Sequence, residues 1–212
     1  MKYCSHCGNP TEQIIPEGDN RPRQVCPRCH TVHYVNPRIV TGAICVWEDK
    51  VLLCRRAIEP RHGKWTLPAG FMEIGESMAE GAQRETREEA GADAVIEQLY
   101  ALLDVPHAEQ VHVFYLARLR TPSLDPGEES LEARLFTEED IPWAEIAFST
   151  VAATLRWFFE DRRQGRYQLH EGQISRPAPG ASAASEHPDR IASEVLPVHP
   201  AHSSFASRNG GD

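Results

Sequence analysis

Three glutamates, Glu85, Glu88 and Glu89, stand at positions i, i+3 and i+4. On a helix this spacing sets three carboxylates on one face of a single turn, where like charges repel. Most charge runs are solvated helix faces, and the spacing alone fits that role as well as it fits a cation site. Hard divalent ions would suit the oxygen donors, since Mg2+ is commonly bound by one or two carboxylates plus water and substrate phosphate oxygens. Such an ion neutralises phosphate charge and lowers the pKa of a bound water, while a neighbouring carboxylate takes the proton. The chemistry in view is cleavage of a diphosphate. Arg84, beside these glutamates, can pair with Glu76 and brace the turn, or form an ordinary surface ion pair.

A second constellation lies at the start of the chain. Cys4 and Cys7 form one C-x2-C, Cys26 and Cys29 another, with 18 residues between the pairs. Two such knuckles closed by a loop point four thiolates at one ion and complete tetrahedral coordination of zinc. His6, His30 and His33 are weaker ligand candidates. Residues 1 to about 36 are poor in apolar side chains and would have little to hold them together without metal. Cys45 and Cys54 lie inside apolar runs and read as small core residues. A ribbon of this kind can bind nucleic acid, bind a protein or serve as structure, and its sequence does not separate these uses.

The elements that must position the glutamates follow from periodicity. Ile39 to Trp47 and Val51 to Cys54 are strand-like runs separated by a turn at Glu48-Asp49-Lys50, and the Pro- and Gly-rich stretch from Ile58 to Gly75 reads as loop around a short run at Trp65 to Leu67. Ser77 with Glu80 offers a capping box, which predicts a helix from Met78 to Ala90 stopped by Gly91. Val95 to Val105, Val111 to Leu119 and Leu131 to Phe136 read as strands. Val151 to Arg163 reads as an amphipathic helix with Val151, Leu155, Phe158 and Phe159 on its apolar side. The order β-β-α-β-β-β-α predicts an α+β architecture or an α/β/α sandwich. After about Arg176 the chain turns to Pro, Ala, Ser, Gly and His, a composition expected to stay disordered.

Composition narrows the partners. The 212 residues are 41% apolar and 25% charged, near globular averages, with no run long enough to span a bilayer, so no membrane partner is expected. The first residues contain no apolar signal region, which predicts a reducing, cytoplasmic setting in which metal outranks disulfides for the cysteines. A formal charge of -9 argues against tight binding to a long nucleic acid but leaves a small phosphorylated substrate open where cations mediate the contact.

The stretch GFMEIGESMAEGAQRETREEAGA, Gly70 to Ala92, resembles the Nudix box G-x5-E-x7-R-E-U-x-E-E-x-G-U, where U is a large apolar residue. Every polar position matches: Gly70, Glu76, Arg84, Glu85, Glu88, Glu89 and Gly91. Thr86 and Ala92 depart, standing where the family prefers larger apolar side chains that pack the helix on the sheet. The resemblance implies a Nudix α/β/α sandwich with a mixed sheet over residues 37–176, preceded by a zinc ribbon at 1–36 and followed by the tail at 177–212. It implies Glu85 and Glu89 as principal Mg2+ or Mn2+ ligands, Glu88 as ligand or base, the Gly70 carbonyl as a further ligand, and Arg84 and Glu76 as supports of the loop. In several members the base comes from a later loop, which keeps Glu128, Glu129 and Glu132 as candidates. A homodimer is compatible with the family.

Ribbon followed by box resembles two branches. The NADH diphosphatases carry S-Q-P-W-P-F-P-x-S after the box; here the region reads LYALLDVPHAEQVHVFYLARL, which demotes NADH. The other branch is similar to plant plastid enzymes that split FAD, through YCSHCG, HGKWTLPAGFMEIGES, ESLEARLFTEEDIP and IAFSTV, from Tyr3 to about Arg176. That resemblance implies FAD plus water giving FMN plus AMP, with ADP-ribose as the competing substrate. A reading of another class is a catalytically silent nucleotide-sensing or nucleic-acid-binding module; the intact carboxylate set argues against it. Trp65, Phe71 and Tyr115 are candidates for ring stacking, although aromatics in strands are more often core. Arg55 and Arg56 can contact phosphate, yet strand alternation should leave one of them facing solvent.

Overall fold

Few hydrocarbon side chains are buried in the first 37 residues: besides Cys4, Cys26 and His33, only Val25 reaches a buried class. A computed structural model describes residues 1–175, 195 and 196; the tail expected at 177–212 lies outside the described residues except for those last two. Met1–Pro37 forms one compact unit and the chain from Arg38 another. In the first, β1 (Glu12–Ile14), β2 (Arg23–Val25) and β3 (Val32–His33) make a small antiparallel sheet in that order. The two cysteine pairs face one another, with Cys4 Sγ 3.6 Å from Cys29 Sγ and Cys7 Sγ 3.4 Å from Cys26 Sγ. Both knuckles close alike: the residue after the second cysteine, Gly8 or His30, has positive φ and donates its N–H to the carbonyl of the first cysteine at 2.9 Å. All four sulfurs lie within 4.8 Å of one another and no histidine joins the group among the described residues. This donor set fits tetrahedral zinc without help from His6, His30 or His33.

The second unit is built on strands apolar at successive positions, as covering on both faces requires. They are β4 (Arg38–Trp47), β5 (Lys50–Arg56), the short β6 (Trp65–Thr66) and β7 (Ala69–Phe71), then α1 (Met78–Ala90), β8 (Ala94–Val105), β9 (Gln110–Leu119), β10 (Ser130–Phe136), α2 (Ser149–Gln164), β11 (His170–Ile174) and β12 (Val195–Leu196). The mixed sheet runs β10-β5-β4-β9-β8-β11-β12, with β6 beside β5 and β7 beside β4. Ala43, Cys45, Leu52 and Cys54 pack with Ala82 and Ala90 of α1, whereas Ile44, Val51 and Leu53 pack with Leu155, Phe158 and Phe159 of α2. One helix thus lies on each face, the expected α/β/α sandwich. Burial drives the Cys45 thiol up to about 12 and Cys54 well above its ordinary value, in keeping with core residues.

Two departures from the box turn out to be harmless locally. Thr86 is fully buried, but its hydroxyl donates to the Ala82 carbonyl at 2.8 Å and its small volume fits against Cys45. Ala92 is buried in the same cluster. Two strands of this unit before the tail depart from the expected order: β7, which pairs with β4 inside the stretch read as loop, and β11, whose sequence HEGQI shows no apolar alternation and which exists through parallel pairing with β8, His170 to Gln173 opposite Ala101 to Asp104. Its entry is fixed by Asp161 of α2, a buried carboxylate that accepts hydrogen bonds from the Tyr100 hydroxyl (3.0 Å), His170 Nε2 (2.9 Å) and the Gln168 N–H (3.2 Å).

Candidate active site

The carboxylates are placed by how α1 begins and ends. Ser77 and Glu80 form the reciprocal capping box, and Gly91 takes the left-handed conformation that stops the helix. At the start, Thr41 donates to the Met78 carbonyl at 2.6 Å and ties the first turn to β4. At the end, the loop after β9 docks by its backbone: the Asp125 N–H donates to the Ala90 carbonyl at 2.8 Å and the Gly127 N–H to the Glu89 carbonyl at 3.4 Å. A Cβ on Gly127 would sit 1.9 Å from the Glu88 carbonyl oxygen, so only glycine permits this approach.

At Gly70 of β7 a Cβ would lie 2.3 to 2.6 Å from the carboxylate atoms of Glu85, so any side chain there would displace that carboxylate. The Glu85 side chain therefore rests directly over the backbone of β7. Arg84 organises the surroundings. Its guanidinium grips Glu76 with two bonds (3.0 and 2.8 Å), donates to Glu85 (2.7 Å) and Glu88 (3.0 Å), and reaches the Phe71 carbonyl (3.2 Å). The Arg84 hydrogen bonds, with the Glu73 N–H, hold Glu76 down to about 2, so it stays ionised.

The three glutamates differ in environment. Glu88 is largely exposed and held by Arg84. Glu85 and Glu89 are buried, and burial raises both. Glu89 is pushed up to about 8, first by burial and then by the charge of Glu85, against the pull of Arg56 and the Ala69 backbone. Glu89 Oε2 is buried and has no hydrogen-bond partner. A desolvated, unpartnered carboxylate oxygen beside a second carboxylate is a donor set that a hard divalent cation completes, and the residues present fit one.

These groups sit at one end of a cavity of about 970 Å³ that also includes Gly70, Glu128 and Glu129. Of the later-loop candidates, Glu128 and Glu129 therefore reach the site, whereas Glu132 lies on β10 opposite Arg55 and does not line it. Alternation resolves the arginine pair: Arg56 lines the cavity, with its guanidinium over the Phe148 ring and bonded to the Pro60 carbonyl, while Arg55 turns away to the Gly63 carbonyl. Of the three aromatics, Phe71 lines the cavity under Arg38; Trp65 is core against Phe136, and Tyr115 packs on the α1 side.

The far end of the cavity was not foreseen from the sequence. Its floor is the sheet face carrying α2, where Phe71, Val40 and His112 stand opposite one another across β7, β4 and β9. Phe114 lies beside His112, and Val105, Phe148, Thr150 and Ile174 also line the cavity. His112, a part-buried polar residue near the start of the run VHVFYLA, was the one signal that could have pointed there.

The chain matches two family models, one for the NUDIX domain over residues 36–158 and one described as Nudix N-terminal over residues 2–35. A crystal structure of a NUDIX hydrolase from Nitrosomonas europaea is 50% identical with a TM-score of 0.81, covering 83% of this chain and all of that one. The ADP-ribose pyrophosphatase of Methanocaldococcus jannaschii is 26% identical over 131 residues, 58% of this chain and 76% of that protein. The NAD-capped RNA hydrolase NudC of Stutzerimonas stutzeri is 31% identical over 170 residues, 78% of this chain but only 58% of that protein. Arriving at the same residues as the geometry, these matches make the chain a member of the Nudix hydrolase family, with a zinc-ribbon module ahead of the Nudix domain.

Proposed function

We propose that the protein hydrolyses the diphosphate joining the two halves of a nucleotide derivative, with FAD, giving FMN and AMP, as the preferred substrate and ADP-ribose as the second. The observation that carries the diphosphatase reading is Glu89, buried beside Glu85 with one oxygen unpartnered at the end of a large cavity. The volume, about 970 Å³, lies near the top of the range for small-molecule sites and suits a substrate with two halves. The missing NADH motif and the FAD-branch segments support FAD. The similarity to an ADP-ribose pyrophosphatase supports the second substrate, and the similarity to NudC keeps NAD-capped RNA among those to test.

In this reading Glu85, Glu89, Glu88 and the Gly70 carbonyl hold Mg2+ or Mn2+, which when bound neutralises phosphate charge and acidifies water. Arg84 keeps Glu85 and Glu88 oriented and Glu76 anchors Arg84. Arg56 lines the same cavity, close enough for its charge to act on Glu89, and takes a phosphate oxygen. A carboxylate, Glu88 or one of Glu128 and Glu129, accepts the proton of the attacking water. The water oxygen joins one phosphorus, and the bridging oxygen leaves on the other half. Purified protein incubated with FAD, ADP-ribose, NADH, diadenosine polyphosphates and NAD-capped RNA, in Mg2+ and in Mn2+, tests the reading. FAD turned over fastest is expected, and no turnover of any of them would overturn the enzyme in favour of a silent binding module. For the ribbon, zinc held by Cys4, Cys7, Cys26 and Cys29 predicts about one zinc per chain by metal analysis.

A further inference from the structure

Two polar groups lining the cavity have no place in the hydrolytic machinery. His112 Nε2 lies 2.9 Å from Gln110 Oε1, an acceptor, so Nε2 carries the proton and Nδ1 keeps a lone pair. That Nδ1 is buried without a partner. Burial holds the imidazole down to about 4, which keeps it neutral near pH 7 and keeps Nδ1 an acceptor. The second group is the Thr150 hydroxyl, buried and also without a partner. The buried helix threonines Thr86 and Thr154 donate to the carbonyl four residues back, at 2.8 Å each. Thr150 has no such helical carbonyl, because α2 begins at Ser149, and the helix opens with no side-chain cap. Orphaned buried polar atoms cost free energy unless something else satisfies them.

Both residues line the cavity that holds the carboxylates. His112 stands in one row with Val40 and Phe71, so it lies two strand spacings, roughly 10 Å, from β7. Phe114 lies beside it, with ring centroids 6.2 Å apart, and Phe148 lines the same cavity; apolar and aromatic walls of this kind favour a flat ring over a sugar or a bare phosphate.

We propose that His112 and Thr150 form the subsite that reads the edge of a flat heterocycle at one end of the substrate, an edge presenting an N–H donor beside a hydrogen-bond acceptor. His112 Nδ1 accepts from the ring N–H or amino group, and the Thr150 hydroxyl donates to the adjacent acceptor. Both the imide edge of a flavin and the amino edge of adenine have this chemistry. The inference rests on the diphosphatase reading and extends it to specificity.

The test uses the full-length protein with His112→Phe, His112→Asn and Thr150→Val, with thermal melts to establish folding. Two readouts are taken: kcat and KM for the best nucleotide of the substrate panel, and calorimetric binding of FMN and of AMP. The expected result is KM up about tenfold or more in His112→Phe with kcat within a few-fold, a smaller rise in Thr150→Val, and partial recovery in His112→Asn, whose amide oxygen can replace Nδ1. Selective weakening of FMN binding assigns the edge to the flavin, and selective weakening of AMP binding assigns it to adenine. Unchanged KM and unchanged binding of both halves, in variants that melt normally, would overturn the subsite, as would a fall in kcat alone. Should His112→Phe fail to fold, Thr150→Val decides by the same readouts. Wild-type turnover with unaffected variants sinks only this inference; absent wild-type turnover sinks the function beneath it.

Discussion

Two buried carboxylates in the same domain, Asp161 and Glu89, meet opposite treatment. Asp161 accepts hydrogen bonds from Tyr100, His170 and Gln168, and although burial pushes it up, these donors bring it below its ordinary 3.8. Glu89 has an oxygen with no donor and a neighbour of like charge, and it rises to about 8. The first carboxylate fastens β11 to α2. The second has no donor for one oxygen and holds a proton instead, the environment that the proposed cation site requires of a ligand and a structural carboxylate avoids.

The sharpest way to break this contrast is to neutralise each carboxylate in turn. Glu89→Gln should lower kcat by about 100-fold or more, while the metal-free protein near neutral pH melts no lower than wild type, since the amide replaces a carboxyl that already holds its proton there. Activity near wild type, followed with the best substrate, would mean that Glu89 is no ligand. Asp161→Ala should do the reverse, costing on the order of 2–4 kcal/mol in denaturant unfolding, with kcat preserved in the fraction that folds.

A pH series sharpens the contrast further, because the two groups contribute with opposite sign. Between the ordinary Glu value of 4.5 and about 8, the folded metal-free protein retains a proton on Glu89 that the unfolded chain has lost. Stability from this group therefore falls as pH rises through that window, and saturating Mg2+ should restore it. For Asp161 the folded value lies below 3.8, so its contribution is present above that pH and is lost as pH falls through the folded value. Melting curves of wild type, Glu89→Gln and Asp161→Asn across pH should show the first slope vanish in one variant and the second in the other. The smallest effect separates the later glutamates. Glu129→Gln should reduce kcat by tens of fold if the base lies in this loop, and Glu132→Gln, outside the cavity, should leave kcat within a factor of about two.

Much of the carboxylate end was legible because it is local. The capping box, the i, i+3, i+4 spacing and the stop at Gly91 lie within one helix and its flanks, and the helix spans Met78–Ala90 as expected. Where partners are distant, legibility fails. β11 has no pattern of its own and depends on β8, about seventy residues earlier. Alternation predicted that one of Arg55 and Arg56 would face away, but only the pairing of β5 says which. His112 and Thr150 look ordinary in sequence, because what marks them is a missing partner, and absence of a bond is a property of the assembled cavity.

The row Phe71, Val40, His112 has a consequence for how such a protein can diverge. Backbone pairing across three strands sets the span between the two ends of the cavity, so the span is not adjustable by side-chain drift. A lineage, or a designer, can exchange the residues at the far end and change which compound is accepted while the cleavage chemistry stays where it is. New specificities on this scaffold should then arise by swaps at fixed addresses on β9 and α2, with insertions and deletions pushed out to the rim loops.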